Sequence, residues 1–142
     1  MRNNNPLNIR KSKTRWQGLK KHQDDPSFCQ FENVVYGYRA AFRLMRTYYH
    51  QYSLHTINDI INRFAPCTEN DTSSYIDFVC EQTGLTPDLQ LLSPENDFQT
   101  WCNIILAMSK IESKASSSHL SYVLRGWHLA FRKQDNTKQT SF

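Results

Sequence analysis

From Val34 onward the apolar residues recur three and four apart, and this spacing constrains the fold more than any other feature of the chain. A half-buried strand alternates apolar and polar residues, whereas a helix lays its apolar residues down one face at three- and four-residue steps. From Val34 to Gln51 such a stripe runs through Tyr38, Phe42, Met45 and Tyr49, with Tyr52 continuing it. Thr56 caps a short helix with Ile57, Ile60, Ile61 and Phe64 inward, and Pro66 lies just past its end. The polar run Glu69-Asn70-Asp71-Thr72 ends in a cap residue, after which Tyr75, Ile76, Val79 and Cys80 form a stripe that closes at Gly84. Ser93 followed by Pro94 predicts a helix start, with Glu95 and Asp97 at its positive end and the helix running to about Ala115. Serines 116–118 start a last helix carrying Leu120, Val123, Leu124, Trp127 and Phe131. The expectation is a mainly α, single domain over residues 1–132 with about five helices, followed by a polar C-terminal tail over 133–142. A chain of 142 residues with 39% hydrophobic content is large enough for one core.

Residues 1–32 read differently. They lack helical periodicity and are rich in turn residues, which predicts a small strand-and-loop N-terminal lobe, with Phe28-Cys29-Gln30-Phe31 pairing with a segment near Trp16. The opening Arg2-Asn3-Asn4-Asn5-Pro6-Leu7-Asn8-Ile9-Arg10 is unsuited to a helix or a plain strand. Asparagine side chains compete with the backbone for hydrogen bonds, and proline holds the preceding residue extended. A rigid loop follows, presenting the amides of Asn4, Asn5 and Asn8 near Trp16. Amides fixed beside an aromatic plane suit a neutral ligand rich in hydroxyl and N-acetyl groups, that is, a sugar. The same residues equally make a structured turn with no ligand.

The net charge of +4 is concentrated in residues 1–22, where Arg2, Arg10, Lys11, Lys13, Arg15, Lys20 and Lys21 stand without an acidic residue. Such an arm suits an anionic wall polymer, a membrane surface or nucleic acid, and it also serves as a plain solvated face. Only Trp16 is interleaved with the cations, so nucleic acid is not the expected partner. Cys29, Cys67, Cys80 and Cys102 form no C-x-x-C pair and no histidine clusters near them, so neither a metal site nor a cofactor is expected. The thiols are read as reduced, with one disulfide left open. No run is apolar enough to span a membrane, and no secretory signal follows Met1, so a wall target implies another export route, or a leader or partner domain outside this sequence. The chain is expected to be a monomer.

One carboxylate stands out. The stripe Phe98, Trp101, Ile105, Met108 reaches Glu112 at its next step of four. A glutamate continuing a core stripe is partly buried or sits at a cleft edge, and both burial and the negative helix end raise its pKa toward that of a general acid. The alternative is that the stripe ends there and Glu112 swings into solvent near Lys114. Glu32 and Glu69 fall in polar loops that could line a cleft.

With these features in place, the chain resembles a lysozyme-like family found in phage and phage-derived bacterial proteins. The resemblance rests on the Asn-rich opening, Trp16-Gln17-Gly18, Phe31-Glu32-Asn33, Tyr36-Gly37-Tyr38-Arg39-Ala40, Ile60-Ile61-Asn62-Arg63-Phe64-Ala65-Pro66, Glu69-Asn70-Asp71-Thr72 and Tyr75. It covers roughly residues 2–112. Phe64 stands where the family usually has tryptophan, and Cys67 where a second proline is frequent. Members are described as virion structural proteins or as peptidoglycan-degrading enzymes. In addition, Ile111-Glu112-Ser113-Lys114-Ala115 is similar to the helix end that supplies the catalytic acid in flagellar-type glucosaminidases and soluble lytic transglycosylases. Asn4-Asn5-Pro6 with Trp16-x-Gly18 is similar to their cleft-lining segment, in reversed order, as in a circular permutation.

The resemblance implies a lysozyme-like fold and cleavage of the peptidoglycan glycan strand, with Glu112 protonating the glycosidic oxygen. Either water attacks, or the 6-hydroxyl of the muramic sugar closes an anhydro ring; the lack of an evident second carboxylate favours the latter. Asn4, Asn5 and Asn8 would hold N-acetyl and hydroxyl groups, Trp16 would stack on a sugar, Tyr75 would line the cleft, and Arg39 would meet an acidic lactyl or peptide group. The competing implication is a non-catalytic virion or tail domain that binds glycan without cutting it. The permutation reading carries a geometric requirement: the end of the Glu112 helix must pack beside residues 4–9.

Overall fold

The computed structural model describes residues 1–132, which form five α-helices: α1 (Val34–Gln51), α2 (Ile57–Phe64), α3 (Thr72–Thr83), α4 (Phe98–Ser113) and α5 (Leu120–Phe131). Four of the five helices, α1 to α4, begin where a short polar side chain takes a free backbone N–H of the first turn, while α5 continues from a 3-10 turn (Ser117–His119). Asn33 accepts from Tyr36, Thr56 from Asp59 and Asp71 from Ser74. Gly84, left-handed at φ 74°, ends α3 as its position predicts. α4 starts at Phe98, later than Ser93 and Pro94 predict. Those two residues instead frame a single 3-10 turn (Pro94–Asn96), and the Asp97 carboxylate caps α4 by accepting from the Thr100 N–H at 3.3 Å. The predicted C-terminal tail, 133–142, lies outside the described residues.

α4 is the central helix. Trp101, Cys102, Ile104, Ile105, Ala107, Met108 and Ser109 are all buried, so it is covered almost all round. α3 packs along one side of it, while α1 and α5 run together on another. The α1–α5 approach is close because Gly126 has no side chain: a Cβ there would lie 2.5 Å from Tyr38 Cβ. The connection from α3 to α4 is tied down by aromatic donors on three helices. Tyr49 Oη donates to the Leu91 carbonyl at 2.8 Å, Trp101 Nε1 to Leu92 at 2.8 Å and Trp127 Nε1 to Pro94 at 2.9 Å. Cys29, Cys67, Cys80 and Cys102 are all free thiols.

The predicted strand-and-loop lobe requires correction: residues 1–32 form loop with one 3-10 turn (Arg2–Asn4) and, in place of strands, two isolated antiparallel bridges, Arg10 with Phe28 and Leu19 with Phe31. Side chains occupy the positions a strand partner would take. The Asn5 amide accepts from the Ile9 N–H at 2.9 Å, donates to the Ile9 carbonyl at 3.0 Å and donates to the Cys29 carbonyl at 2.9 Å. Gln30 and Gln23 exchange similar bonds, Gln23 taking the Gln30 N–H and donating back to its carbonyl, both at 2.8 Å. A ladder has few free groups left to use. The lobe is nonetheless anchored, since Leu7 and Phe31 are fully buried in the helical core. α1 seats against it through Gly37, where a Cβ would lie 2.1 Å from the Asn4 carbonyl oxygen.

Two substitutions test this arrangement by chemical denaturation. Asn5→Ala leaves the buried groups it served without partners, at about 1–3 kcal/mol for each group left unsatisfied. Gly37→Ala drives a methyl into backbone and is expected to cost about 1–3 kcal/mol. Unchanged denaturation midpoints in both would contradict the described docking of the opening loop.

Candidate functional site

The Asn run is first a solution to a backbone problem. Asn3, Asn4 and Asn8 have φ of 65°, 51° and 51°, the left-handed region that asparagine tolerates better than most side chains. The turn at Asn8 brings its amide to the last turn of α4, where carbonyls lack intrahelical partners. Asn8 Nδ2 donates to the Glu112 carbonyl at 2.7 Å, and Lys114, left-handed at φ 58°, ends the helix just beyond. The opening loop and the end of α4 therefore meet at Glu112.

Glu112 is half-buried, and its carboxyl is pushed above the usual carboxylate range, chiefly by burial; the neighbouring Tyr75 and Asn8 side chains offset part of that rise. The groups acting on it are uncharged, so no guanidinium or ammonium stabilises the ionised form. Tyr75 comes from α3, is 5% exposed, and its buried hydroxyl completes no hydrogen bond. Burial and the adjacent Glu112 carboxylate both push the Tyr75 phenol upward, so it stays protonated as a donor.

Around this carboxylate lies a cleft of about 470 Å³. One wall is the opening segment, the floor includes Leu44 and Tyr48 of α1, and the other wall is the turn between α2 and α3 with Phe64, Pro66, Glu69 and Asn70. That turn is closed by the Thr72 hydroxyl donating to the Ala65 carbonyl and by the Glu69 N–H bonding Pro66 at 3.0 Å. In the opening segment Arg10, Ser12, Thr14 and Trp16 line the cleft, while Lys11, Lys13 and Arg15 between them are exposed. Trp16 carries a buried indole N–H with no partner. Two buried donors, Trp16 Nε1 and Tyr75 Oη, thus stand unsatisfied beside the cavity system that Glu112 borders, and unmade buried hydrogen bonds are costly.

The expected site residues separate into groups. Glu112, Asn8 and Trp16 come together in this cleft, and Tyr75 lines the adjoining hollow with Glu112. Asn5 is fully buried with its amide committed to Ile9 and Cys29, so it shapes the loop and has no surface for a sugar. Asn4 gives its amide N–H to the Phe31 carbonyl at 3.1 Å and lines none of the hollows. Arg39 also lies elsewhere: at 3.6 residues per turn it stands about 140° round α1 from Leu44. There burial, then Arg43 and Arg46, push its guanidinium downward. Sequence reading missed Leu44, Tyr48 and Phe28 as lining residues, and the alternation of 10, 12, 14 and 16 was the signal available for the opening wall. Among the described residues no three His, Cys, Asp or Glu side chains gather as a metal-binding set, and no helix is long and apolar enough to cross a membrane.

No family model matches the chain. It is 37% identical over 134 residues to Protein P5 of Pseudoalteromonas phage PM2, an alignment taking in 92% of this chain and 81% of that protein.

The environment of Glu112 has a stability signature. A carboxyl whose folded-state pKa lies above its unfolded value binds its proton more tightly in the folded chain. Its contribution is therefore present at low pH and is lost as pH rises from the unfolded value through the folded one. Glu112→Gln should raise the Tm at about pH 7, and the difference should close below about pH 3, under the ordinary glutamate pKa of about 4.3, where the carboxyl is protonated in both states. A Tm lowered by the substitution at neutral pH would mean that the carboxylate is stabilised by a partner.

Proposed function

The chain belongs to the family of the phage Protein P5; from the geometry of its cleft and the resemblance of its motifs, we propose that it is a lysozyme-like domain that cleaves the glycan strand of peptidoglycan with Glu112 as general acid. The observation that carries this reading is the desolvated Glu112 carboxyl in a cleft of ligand size, with unsatisfied donors nearby. A general acid must hold its proton near neutral pH and release it to the leaving oxygen, which burial without a neighbouring cation favours. Asn8 fixes the backbone of the residue that carries the acid, so the carboxyl is aimed by a contact on the helix itself.

On this reading Trp16 presents its ring and indole N–H to a sugar, and Tyr75 offers its hydroxyl to a sugar oxygen or to Glu112 after proton transfer. The exposed cations Lys11, Lys13 and Arg15 on the outer side of the cleft wall favour a polymer bearing carboxylates, as the stem peptides of peptidoglycan do. The fold and the cleft serve equally in a virion domain that binds glycan without cutting it, and activity separates the two.

The test is digestion of purified sacculi with mass spectrometry of the soluble products. Wild-type protein should release muropeptides, and Glu112→Gln should lower the rate by roughly 10²–10⁴-fold, the range of general acid catalysis. Activity should decline on the alkaline side as Glu112 loses its proton. Wild-type protein that binds sacculi and releases nothing would assign the chain to the non-catalytic reading.

A further inference from the structure

α1 carries a second surface that the cleft does not use. Arg39, Arg43 and Arg46 follow one another at steps of four and three, which confines them to an arc of about 60° on the helix. Each lies about 100° or more round α1 from Leu44, which helps to floor the cleft. α1 contains no acidic residue, and among the described residues the one ion pair is His50 Nε2 with Glu95 at 2.7 Å, a turn beyond Arg46. Like charges at this spacing repel. Burial first, then the neighbouring guanidiniums, push Arg39 and Arg43 downward. We propose that this stripe is a docking face for the phosphodiester backbone of DNA, bound without regard to base sequence. The inference stands apart from the glycan reading.

The arginines are held in place, and all three are half-buried. Arg43 Nη1 donates to the Ala130 carbonyl near the end of α5 at 3.0 Å, which leaves its other N–H donors for an outside acceptor. The Arg46 guanidinium stands over the Phe131 ring, 5.9 Å from its centroid. Arg39 Nε is buried with no partner, an unmet donor in a group whose planar fork matches phosphate oxygens. At 1.5 Å per residue the three positions are about 6 and 4.5 Å apart along the axis. Phosphates of one DNA strand advance about 3.4 Å per nucleotide, so successive arginines can meet phosphates close together on one strand. A protein partner fits less well, because a protein interface has an apolar core. None of the large exposed apolar side chains among the described residues belongs to α1. The same lack disfavours a membrane surface, where a helix buries an apolar face. Contacts to a charged backbone need no such face.

The experiment is fluorescence anisotropy of a labelled DNA duplex titrated with the full chain over a series of salt concentrations. Wild-type protein should bind, with log K falling linearly against log salt. Replacing Arg39, Arg43 and Arg46 together by glutamine should flatten that slope by about 2.7, three phosphates at about 0.9 each. Arg43 also serves the Ala130 carbonyl, so Arg46→Gln is the variant that spares the fold, checked by its amide spectrum. Alone it should flatten the slope by about 0.9. The same change should follow Arg46→Gln when Lys11, Lys13 and Arg15 are already glutamine, since the opening arm is a separate source of charge. No binding by the wild-type protein, or slopes unmoved by both arginine variants, would overturn the proposal. Displacement of the duplex by polyglutamate as readily as by unlabelled DNA would also overturn it, and would assign the stripe to an acidic protein. None of these results bears on the glycan reading, which sacculus digestion tests.

Discussion

The hydrogen bond from Asn8 to the Glu112 carbonyl, joining residues 104 positions apart, is the contact on which the site depends. It closes the last turn of α4, where the helix leaves carbonyls without partners, and it does so with the opening loop. Everything upstream in the chain prepares for it. Asn5 folds the loop on itself, Leu7 anchors it in the core, and Gly37 lets α1 press against it. Without that docking the end of α4 would face water and the carboxylate would be an ordinary surface group.

The site's electrostatics follow from the same packing. Glu112 is desolvated by its burial beside the loop and α3, while Arg10 lines the cleft and Lys11, Lys13 and Arg15 are exposed along the same segment. Cations along the opening wall of the cleft suit a polymer with neutral sugar backbones and acidic side groups.

How much of this was legible in the sequence varied with the physics. The helices were legible because burial imposes a three- and four-residue rhythm that Phe42, Ile60, Val79, Ile105 and Val123 obey. Glu112 was legible for the same reason, as the residue that broke a stripe. The strands predicted in the first third failed because the side chains of Asn5 and Gln23 hydrogen-bond as strand partners would, which composition does not reveal. The start of α4 was misplaced because Ser93-Pro94 serves a 3-10 turn as well as it serves a helix. The asparagines were visible, but their direction was not: Asn5 points into the protein, and Asn8 points at a helix end. Arg39 was drawn from the resemblance, and the helical wheel places it away from Leu44 and Tyr48 once those are seen to floor the cleft.

The most direct test of the central claim is a titration of the Glu112 carboxyl by carbon NMR in the wild-type protein, assigned by its loss in Glu112→Gln. The account predicts a pKa above the ordinary glutamate value of about 4.3. It also predicts that Asn8→Ala, which removes a group that offsets part of the rise, does not bring that value back to the ordinary one. A Glu112 that titrates at or below the ordinary value in the intact protein would contradict the account.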